Sequence, residues 1–260
     1  MIIDGRALAG EVLARTKERA GRLSLSPRVI AYVAQEPTPA TRSYLNIKKR
    51  SAEAAGCLFE ETSSKSFFAA GVDAAIIQLP VDPGAMAMLD TLPIGKDADV
   101  LSAVARAKFA RGDEDALLPP VVGAIAEIFR TYTVDPKGKK AVVIGAGFLV
   151  GGPAATWLAQ QGAVVRVVTL GDDLSQLRDA DLIVSGAGSP HFIKPEMLKQ
   201  GVVLIDAGTS ESNGRLAGDA DPACAEKCSV FTPAPGGVGP LAVACLFENA
   251  ITLVERATHT

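Results

Sequence analysis

The sequence predicts an α/β protein of two lobes, each built on a parallel sheet, with a ligand cleft between them. Strand-like apolar runs alternate with helix-like segments along the 260 residues, which is the pattern that parallel α/β folds produce. The alternation passes through two cycles, and a proline-broken stretch at 116–121 separates them. We therefore expect a small α/β substrate lobe and a second, parallel-sheet lobe, since ligands commonly bind between such lobes.

The first cycle contains three strands, predicted at 28–34, 57–63 and 74–80, and the first of them is expected to be buried. The helix after the first strand begins at Pro39 or Thr41 and stops at Gly56. A short helix is predicted at 83–92, and a longer one follows the proline break, within 116–132.

The second cycle is predicted as strand, glycine turn and helix at 139–162, with further strands at 163–170, 181–188 and 202–208. A proline- and glycine-rich loop then leads into a final amphipathic helix, within 231–257. The last two of these strands run into turns of small residues, so a ligand can approach the backbone at that edge of the sheet.

Composition and charge argue against several classes of protein. The net charge of −3 leaves no basic footprint for nucleic acid or an anionic membrane, and we expect neither as a partner. No apolar run approaches the roughly 20 residues that a membrane helix needs. The amino terminus lacks the basic head and cleavage site of a signal peptide, so a cytoplasmic protein is expected.

The cysteines and histidines supply neither a metal site nor a histidine-based triad. The four cysteines are Cys57, Cys224, Cys228 and Cys245. No second pair or nearby histidine completes a site around the closest two, so reduced, buried thiols are expected, and no metal. With His191 and His259 as the histidines, acid–base chemistry falls to lysine, carboxylate or tyrosine.

The glycine turn in "VVIGAGFLVGGP" has the form of a dinucleotide site. An apolar strand delivers Gly145 and Gly147, whose missing side chains let backbone approach a diphosphate at the following helix N-terminus. The spacing through Gly151 is G-x-G-x-x-x-G, which also occurs where a strand and a helix merely pack closely. Later strands that end in glycine favour a Rossmann-like cofactor domain. The candidate cofactor-binding residues are Gly145, Ala146, Gly147, Val150, Gly151, Thr169, Asp172, Gly186, Ala187, Gly188 and Gly208.

The end of this lobe's second strand bears on the choice of nicotinamide cofactor. It reads Thr169-Leu170-Gly171-Asp172-Asp173. A carboxylate there accepts hydrogen bonds from a free ribose and repels a 2′-phosphate, which favours NAD over NADP. The alternative is that Asp172 and Asp173 cap the next helical turn.

The segment "SYLNIKKR" places Tyr44 four residues ahead of Lys48, on one face of the predicted helix. Taken alone, the segment is more typical of basic residues in water. However, Gln78 stands at a strand's carboxyl end, and "GKDADV" adds Asp97 and Asp99 in a loop. Lysine, tyrosine, amide and carboxylate at strand ends can bind a heterocycle and move protons.

These motifs, in this order, resemble those of the bifunctional methylenetetrahydrofolate dehydrogenase/cyclohydrolase family almost from end to end. "PATRSYLNIKKR" is similar to its Tyr-x-x-x-Lys helix, "IIQLP" to its glutamine strand and "PIGKDADV" to its Lys-Asp-x-Asp loop. "GKKAVVIGAGFLVGGP" resembles its cofactor turn, and "FTPAPGGVGPLA" resembles its closing proline-glycine signature. The last of these is the most specific.

The resemblance implies one site for two consecutive reactions on tetrahydrofolate one-carbon derivatives. NAD or NADP oxidises 5,10-methylenetetrahydrofolate, and the 5,10-methenyl cation is then hydrolysed to 10-formyltetrahydrofolate. Residues 1–116 with the helix 240–260 would form the catalytic, folate-binding domain, and 117–239 the Rossmann-like NAD(P)-binding domain. The resemblance also implies a homodimer formed through the cofactor lobe.

Carried onto this chain, the resemblance makes Lys48 the proton-transfer group and Gln78 the partner that sets its charge state. Tyr44 would orient the folate, and Asp99 would hold the pterin. The implied substrate-binding residues are Tyr44, Gln78, Leu79, Pro80, Asp99, Gly236, Gly237 and Pro240. Desolvation and a cationic intermediate both lower the pKa of a lysine toward neutrality, where it can shuttle protons.

The chain departs from the family pattern at several places. Ala146 stands where an arginine is usual, Val100 replaces a loop glycine, and Leu118-Pro119-Pro120-Val121 replaces Pro-Cys-Thr-Pro. Between 57–63 and 74–80 only about ten residues intervene, fewer than a parallel crossover takes, so a shortened turn is expected. Cyclohydrolase activity alone, or folate or nucleotide binding without turnover, remains the alternative.

Overall fold

Two units of α/β structure make up the protein in the computed structural model. The structure describes residues 1–34, 36–64, 71–79, 87–212 and 215–258. The first unit comprises Ala9–Pro120 and Val243–Thr260, and the second comprises Met1–Leu8 and Val121–Ala242.

Helices and strands alternate in the order that the sequence predicts. The α-helices among the described residues are α1 (Gly5–Ala20), α2 (Pro39–Ala55), α3 (Ala103–Arg111), α4 (Pro120–Thr131), α5 (Gly151–Gln160) and α6 (Val238–Thr258). The strands are β1 (Arg28–Tyr32), β2 (Leu58–Thr62), β3 (Ala74–Ile77), β4 (Lys140–Ile144), β5 (Val164–Val168), β6 (Leu182–Ser185), β7 (Val202–Asp206), β8 (Ser210–Ser212), β9 (Arg215–Ala217) and β10 (Cys228–Phe231). The sequence did not predict the helices α1 and α3, nor the strands β8, β9 and β10, which are only three or four residues long.

The first unit is built on a parallel sheet whose described strands lie in the order β2-β1-β3. One face of β1 and β3 is buried in a core with α2 and α6, to which Leu45 and Phe247 belong. Tyr32 pairs with Ile77, so the carboxyl ends of β1 and β3 lie side by side. Residues that follow β3 therefore lie at the carboxyl end of the sheet, where parallel sheets bind their ligands.

The second unit is built on a parallel sheet with the described strand order β10-β7-β6-β4-β5. From β4 the chain goes to β5 on one side and then returns to β6 on the other, so the strand order reverses beside β4. In open parallel sheets ligands bind beside such a reversal, which here lies at the carboxyl ends of β4 and β6. Met1–Leu8 belongs to this unit, because Ile3 N donates to Phe231 O at 2.9 Å and so extends the sheet beside β10.

Helix α6 corrects one statement made from the sequence. By length and composition it is apolar enough to cross a membrane, although no such segment was expected. Half of its most apolar window is buried inside the protein, which is what a core helix of a soluble protein also shows. Arg15 donates from Nε to Glu248 on this helix at 2.9 Å.

Some predicted features lie outside the described residues. These are the shortened turn between β2 and β3, which includes 65–70, and residue Pro80. The helix predicted at 83–92 is described from Ala87, and Ala87–Thr91 forms a 3₁₀ helix.

Candidate active site

Helix α2 fixes the position of Lys48. Thr38 Oγ1 accepts a hydrogen bond from Thr41 N at 3.2 Å and so caps the N-terminus, while Gly56 ends the helix at φ 80°. Leu45, on the buried face, holds the helix against the sheet. Lys48 and Tyr44, one turn apart, are half-buried, and Lys49 is exposed.

Lys48 contacts the glutamine that ends the third strand. Its Nζ donates to Gln78 Oε1 at 3.0 Å, and Gln78 Nε2 donates to Leu79 O at 2.7 Å. The backbone N–H of Gln78 donates to Tyr32 O at 2.9 Å, which fixes the residue at the sheet edge. The amide thus presents its oxygen to the amine, and both of its polar ends are engaged.

The environment of Lys48 favours its neutral form. Burial lowers the pKa of Lys48, and the negative charge of Asp99 partly opposes this. Burial likewise raises the pKa of Asp99, with the charge of Lys48 opposing and that of Asp97 reinforcing the rise. A half-buried amine with a lowered pKa is suited to take up and return a proton.

Asp97 has a structural role in its loop, which the sequence alone did not reveal. Asp97 is buried and accepts hydrogen bonds from Leu101 N at 3.1 Å and Ser102 N at 2.8 Å. It therefore shapes the turn into α3. Val100, at φ 56°, has a conformation that is costly for a β-branched residue, and it directly follows Asp99.

Asn249 on α6 also orients this loop, and sequence reasoning missed it. Its Nδ2 donates to Ala98 O at 3.0 Å and to Leu118 O at 2.9 Å. The amide thereby ties the residue beside Asp99 to the segment that replaces Pro-Cys-Thr-Pro. The available signal was a polar amide inside the apolar stretch "ACLFENAITLV".

In the second unit, the glycine turn after β4 is a close-packed cradle. Gly145 has φ 92°, and a Cβ on it would lie 2.9 Å from Gly186 O. A Cβ on Gly151 would lie 1.8 Å from Gly145 O, so only glycine fits there. At Gly147 a Cβ would meet open space. Val150 is the N-cap residue of α5 and makes no side-chain capping hydrogen bond, which suits an anion at this helix N-terminus.

The turns after β6 and β7 are held by two buried carboxylates. Asp219 accepts from Ala187 N at 2.8 Å, and Asp206 accepts from Gly208 N at 3.0 Å. A Cβ on Gly208 would lie 2.2 Å from the Asp219 carboxyl carbon, so this packing accounts for the glycine without a cofactor. Burial raises the pKa of Asp206 to about 6, although three backbone N–H donors oppose the rise.

The aspartates after β5 make local hydrogen bonds. Asp172 Oδ2 accepts from Thr169 N at 2.7 Å and from Thr169 Oγ1 at 3.0 Å, which lowers the pKa of Asp172. Asp173 accepts from Ser175 N at 2.8 Å and caps the short 3₁₀ helix that begins there. Asp173 therefore caps the next helical turn, as the alternative interpretation of the sequence proposed. Asp172 instead bonds back to Thr169, the residue that follows β5.

The proline-glycine loop lies in the second unit, while Tyr44, Lys48, Gln78, Leu79 and Asp99 lie in the first. Gly237 N donates to Pro233 O at 2.8 Å, and a Cβ on Gly5 would lie 1.8 Å from Gly237 O. Gly236 has φ 106°, and Pro240 is in the first turn of α6. The start of α1 thus packs directly on this loop.

Comparison with known proteins identifies the family. A family model described as "Tetrahydrofolate dehydrogenase/cyclohydrolase, NAD(P)-binding domain" matches residues 119–258. "Bifunctional protein FolD" of Campylobacter hominis is 33% identical over 96% of this chain and 95% of its own length, and its namesake in Wolinella succinogenes is 33% identical over 100% and 98%. The chain belongs to this family.

Solved structures of the tetrahydrofolate dehydrogenase/cyclohydrolase family share the two-domain α/β fold. The bifunctional FolD of Campylobacter jejuni has a TM-score of 0.89 at 28% identity and covers 99% of both chains. The Trypanosoma brucei FolD, complexed with NADP and an inhibitor, has a TM-score of 0.91 at 28% identity, with 100% of this chain and 99% of that one covered. The protein is accordingly an enzyme of the dehydrogenase/cyclohydrolase type with an NAD(P)-binding domain.

The thiols stand apart from this chemistry. All four cysteines are buried and none forms a disulfide, and burial raises the pKa of Cys57 and Cys228 to about 12 and that of Cys224 to about 11. Such thiols are poor nucleophiles. Among the described residues, no group of three or more His, Cys, Asp or Glu is placed to hold a metal ion.

Proposed function

We propose that the protein oxidises 5,10-methylenetetrahydrofolate to the 5,10-methenyl cation with a nicotinamide cofactor and hydrolyses that cation to 10-formyltetrahydrofolate. The observation that carries this proposal is the half-buried Lys48 amine, bonded to Gln78 at 3.0 Å and shifted toward its neutral form by burial. Family membership supplies the substrate class and the pair of reactions.

Lys48 moves the protons of the hydrolysis. As water attacks the methenyl carbon, neutral Lys48 takes one water proton, and a hydroxyl adds to that carbon. When the bond from carbon to N5 breaks, Lys48 returns the proton to N5, and the hydroxyl proton leaves to solvent as the formyl C=O forms. The substrate cation lowers the pKa of Lys48 further, which increases the fraction of neutral amine that can activate water.

Three neighbours set the geometry and charge of this step. Gln78 accepts from Lys48 and holds its lone pair in a fixed direction. Tyr44, one turn away on α2, lies on the same helix face and would stack on the folate. Asp99 would accept hydrogen bonds from the pterin, and burial raises its pKa while the charge of Lys48 opposes that rise. Leu79, Pro80, Gly236, Gly237 and Pro240 would line the folate.

The residues of the second unit fit a dinucleotide. The Gly145–Gly151 cradle, including Ala146, Gly147 and Val150, would hold the diphosphate at the N-terminus of α5. Gly186, Ala187 and Gly188 lie at the strand-order reversal, where the cofactor is expected, and Gly208 packs behind them. When bound, the cofactor accepts the hydride from the methylene carbon.

NAD is the proposed cofactor of choice. Asp172 is exposed and charged at the end of β5, and Ala146 supplies no cation for a 2′-phosphate. We expect kcat/KM to be higher with NAD than with NADP. Asp172→Ser should reduce the ratio of kcat/KM with NAD to kcat/KM with NADP. A wild-type preference for NADP would contradict the assignment.

A spectrophotometric assay with methylene- and methenyltetrahydrofolate tests the function. Lys48→Met should lower cyclohydrolase kcat by about a hundredfold or more, while circular dichroism shows an intact fold. Lys49→Met, the same change at the adjacent exposed lysine, is the matched control and should retain activity. Undiminished hydrolysis in Lys48→Met would contradict the mechanism. Wild-type hydrolysis without NAD- or NADP-linked oxidation would favour the cyclohydrolase-only alternative.

A homodimer formed through the second unit is the proposed assembly. Strand β5 ends the described sheet order, and Val164 and Val167 are 66% and 45% exposed there. Such an edge readily pairs with a second copy. Analytical ultracentrifugation should give a dimer that Val167→Lys weakens, whereas a wild-type monomer at micromolar concentration would exclude it.

A further inference from the structure

The segment 185–189, at the end of β6 and in the turn that follows, is held by hydrogen bonds to one fully buried carboxylate, that of Asp219. Asp219 Oδ2 accepts from Ser185 Oγ at 2.6 Å and from Ala187 N at 2.8 Å, while Oδ1 accepts from Ser189 N at 2.8 Å. The side chain is 0% exposed. All three donors lie within five consecutive residues, so one carboxylate sets the conformation of the whole segment.

Asp219 is itself held rigidly by Asp206. Asp206 Oδ1 accepts from Asp219 N at 3.2 Å, and Oδ2 accepts from Ala220 N at 2.9 Å. Thr232 Oγ1 accepts from Asp206 N at 2.6 Å and fixes the end of β7. A Cβ on Gly218 would lie 2.2 Å from Asp206 Oδ2, so no larger residue fits there. These contacts leave the Asp219 carboxylate little freedom to move.

The hydrogen bonds to Asp219 determine which polar groups of the segment 186–189 remain available to bind a ligand. The N–H groups of Ala187 and Ser189 are taken by Asp219, and Gly186 N donates to Ile144 O at 2.9 Å. Three of the four backbone donors are therefore engaged inside the protein. A phosphate needs such donors, whereas hydroxyl and amide groups can be bound by the acceptors that remain.

We infer that Asp219 is a positioning residue for the cofactor: it turns the segment 186–189 into a surface of acceptors that receives the nicotinamide riboside half of NAD rather than a phosphate. This rests on the proposed dehydrogenase function. The diphosphate then belongs to the Gly145–Gly151 turn, which the segment touches through Gly186 and Val150. A Cβ on Gly186 would lie 2.5 Å from Val150 Cγ1, so the segment and the glycine turn are closely packed. A change in the conformation of the segment should therefore also shift the turn.

Calorimetric titration of Asp219→Asn with NAD and with ADP tests the inference without turnover. The amide keeps the shape but turns a donor toward the donors of the segment, so NAD should bind about tenfold more weakly. ADP lacks the nicotinamide riboside, and its affinity should change less than about twofold. Equal weakening of ADP, or unchanged NAD affinity in the folded variant, would overturn the inference.

Two further variants keep the test decisive. Asp221→Asn makes the same change at a half-buried carboxylate two residues away, which accepts from Lys194 Nζ and Ala223 N rather than from the segment 186–189, and should leave both affinities unaltered. If Asp219→Asn does not fold, Ser185→Ala removes only one of the three bonds and should weaken NAD, not ADP, by about threefold. No change in NAD affinity there would also overturn the inference.

Activity separates the inference from the proposed function. In Asp219→Asn the KM for NAD should rise about tenfold, while the KM for methylenetetrahydrofolate and the cofactor-independent hydrolysis stay near wild type. A parallel fall of both activities would mean general damage and contradict a positioning role. Wild-type protein inactive on both folates would refute the proposed function, and the NAD and ADP affinities would still decide the inference.

Discussion

Replacing Gln78 by glutamate should move the pH dependence of cyclohydrolase activity upward. The new carboxylate would lie about where Oε1 now lies, 3.0 Å from Lys48 Nζ. Two unit charges at that distance attract by about 5.5 kcal/mol at an effective dielectric constant of about 20 and about 1.4 kcal/mol in bulk water. At about 1.4 kcal/mol per pKa unit, the pKa of Lys48 should rise by about one to four units.

The rate at a fixed neutral pH should fall accordingly. Each unit by which the pKa of the base moves further above the assay pH lowers the fraction of neutral amine about tenfold. The hydrolysis of the methenyl cation can be monitored through the loss of its absorbance and corrected for the spontaneous reaction. The rate of this hydrolysis should fall at least about tenfold near neutrality and recover as pH rises. Gln78→Met, which removes the acceptor without adding charge, is the control and should not shift the profile upward. A Gln78→Glu profile that stays in place or moves downward would refute a neutral Lys48 base.

Two further predictions concern the other buried carboxylates. Asp99→Ala should raise the KM for folate more than that for NAD, and it should shift the hydrolysis profile to lower pH because the charge of Asp99 raises the pKa of Lys48; equal effects on both KM values would contradict pterin contact. Asp206→Asn tests the rise of the Asp206 pKa from 3.8 to about 6, which is worth about 3 kcal/mol. The folded state binds more protons than the unfolded state between these pH values, so Asp206 makes unfolding easier as pH rises from about 4 to about 6. Urea unfolding of wild type and variant across that range should show the difference, and parallel stability profiles would contradict it.

Local sequence signals predicted those parts of the molecule whose causes are local. Thr38, Pro39 and Gly56 delimit α2 through caps that act within four residues. Gln78 could be placed because a residue that directly follows a buried parallel strand stands at the ligand edge. The Lys48 amine could then be brought to it by helix periodicity and by the family resemblance.

Long-range side-chain contacts could not be predicted in the same way. Asp219 bonds to residues 30 to 34 positions earlier, and Asn249 bonds across more than 130 positions to Leu118. No spacing rule relates such partners, because the sheet topology alone brings them together. The structural role of Asp97 depends on its carboxylate turning toward the α3 N-terminus.

Titration of the Lys48 amine by NMR, with ¹⁵N- and ¹³C-labelled lysine, tests the central claim most directly. The Lys48→Met spectrum assigns the resonance. We predict a pKa below the ordinary lysine value of about 10.4, because burial outweighs the charge of Asp99, and a further fall when a folate analogue with a cationic ring binds. A pKa at or above the ordinary value, unchanged by that ligand, would contradict the account.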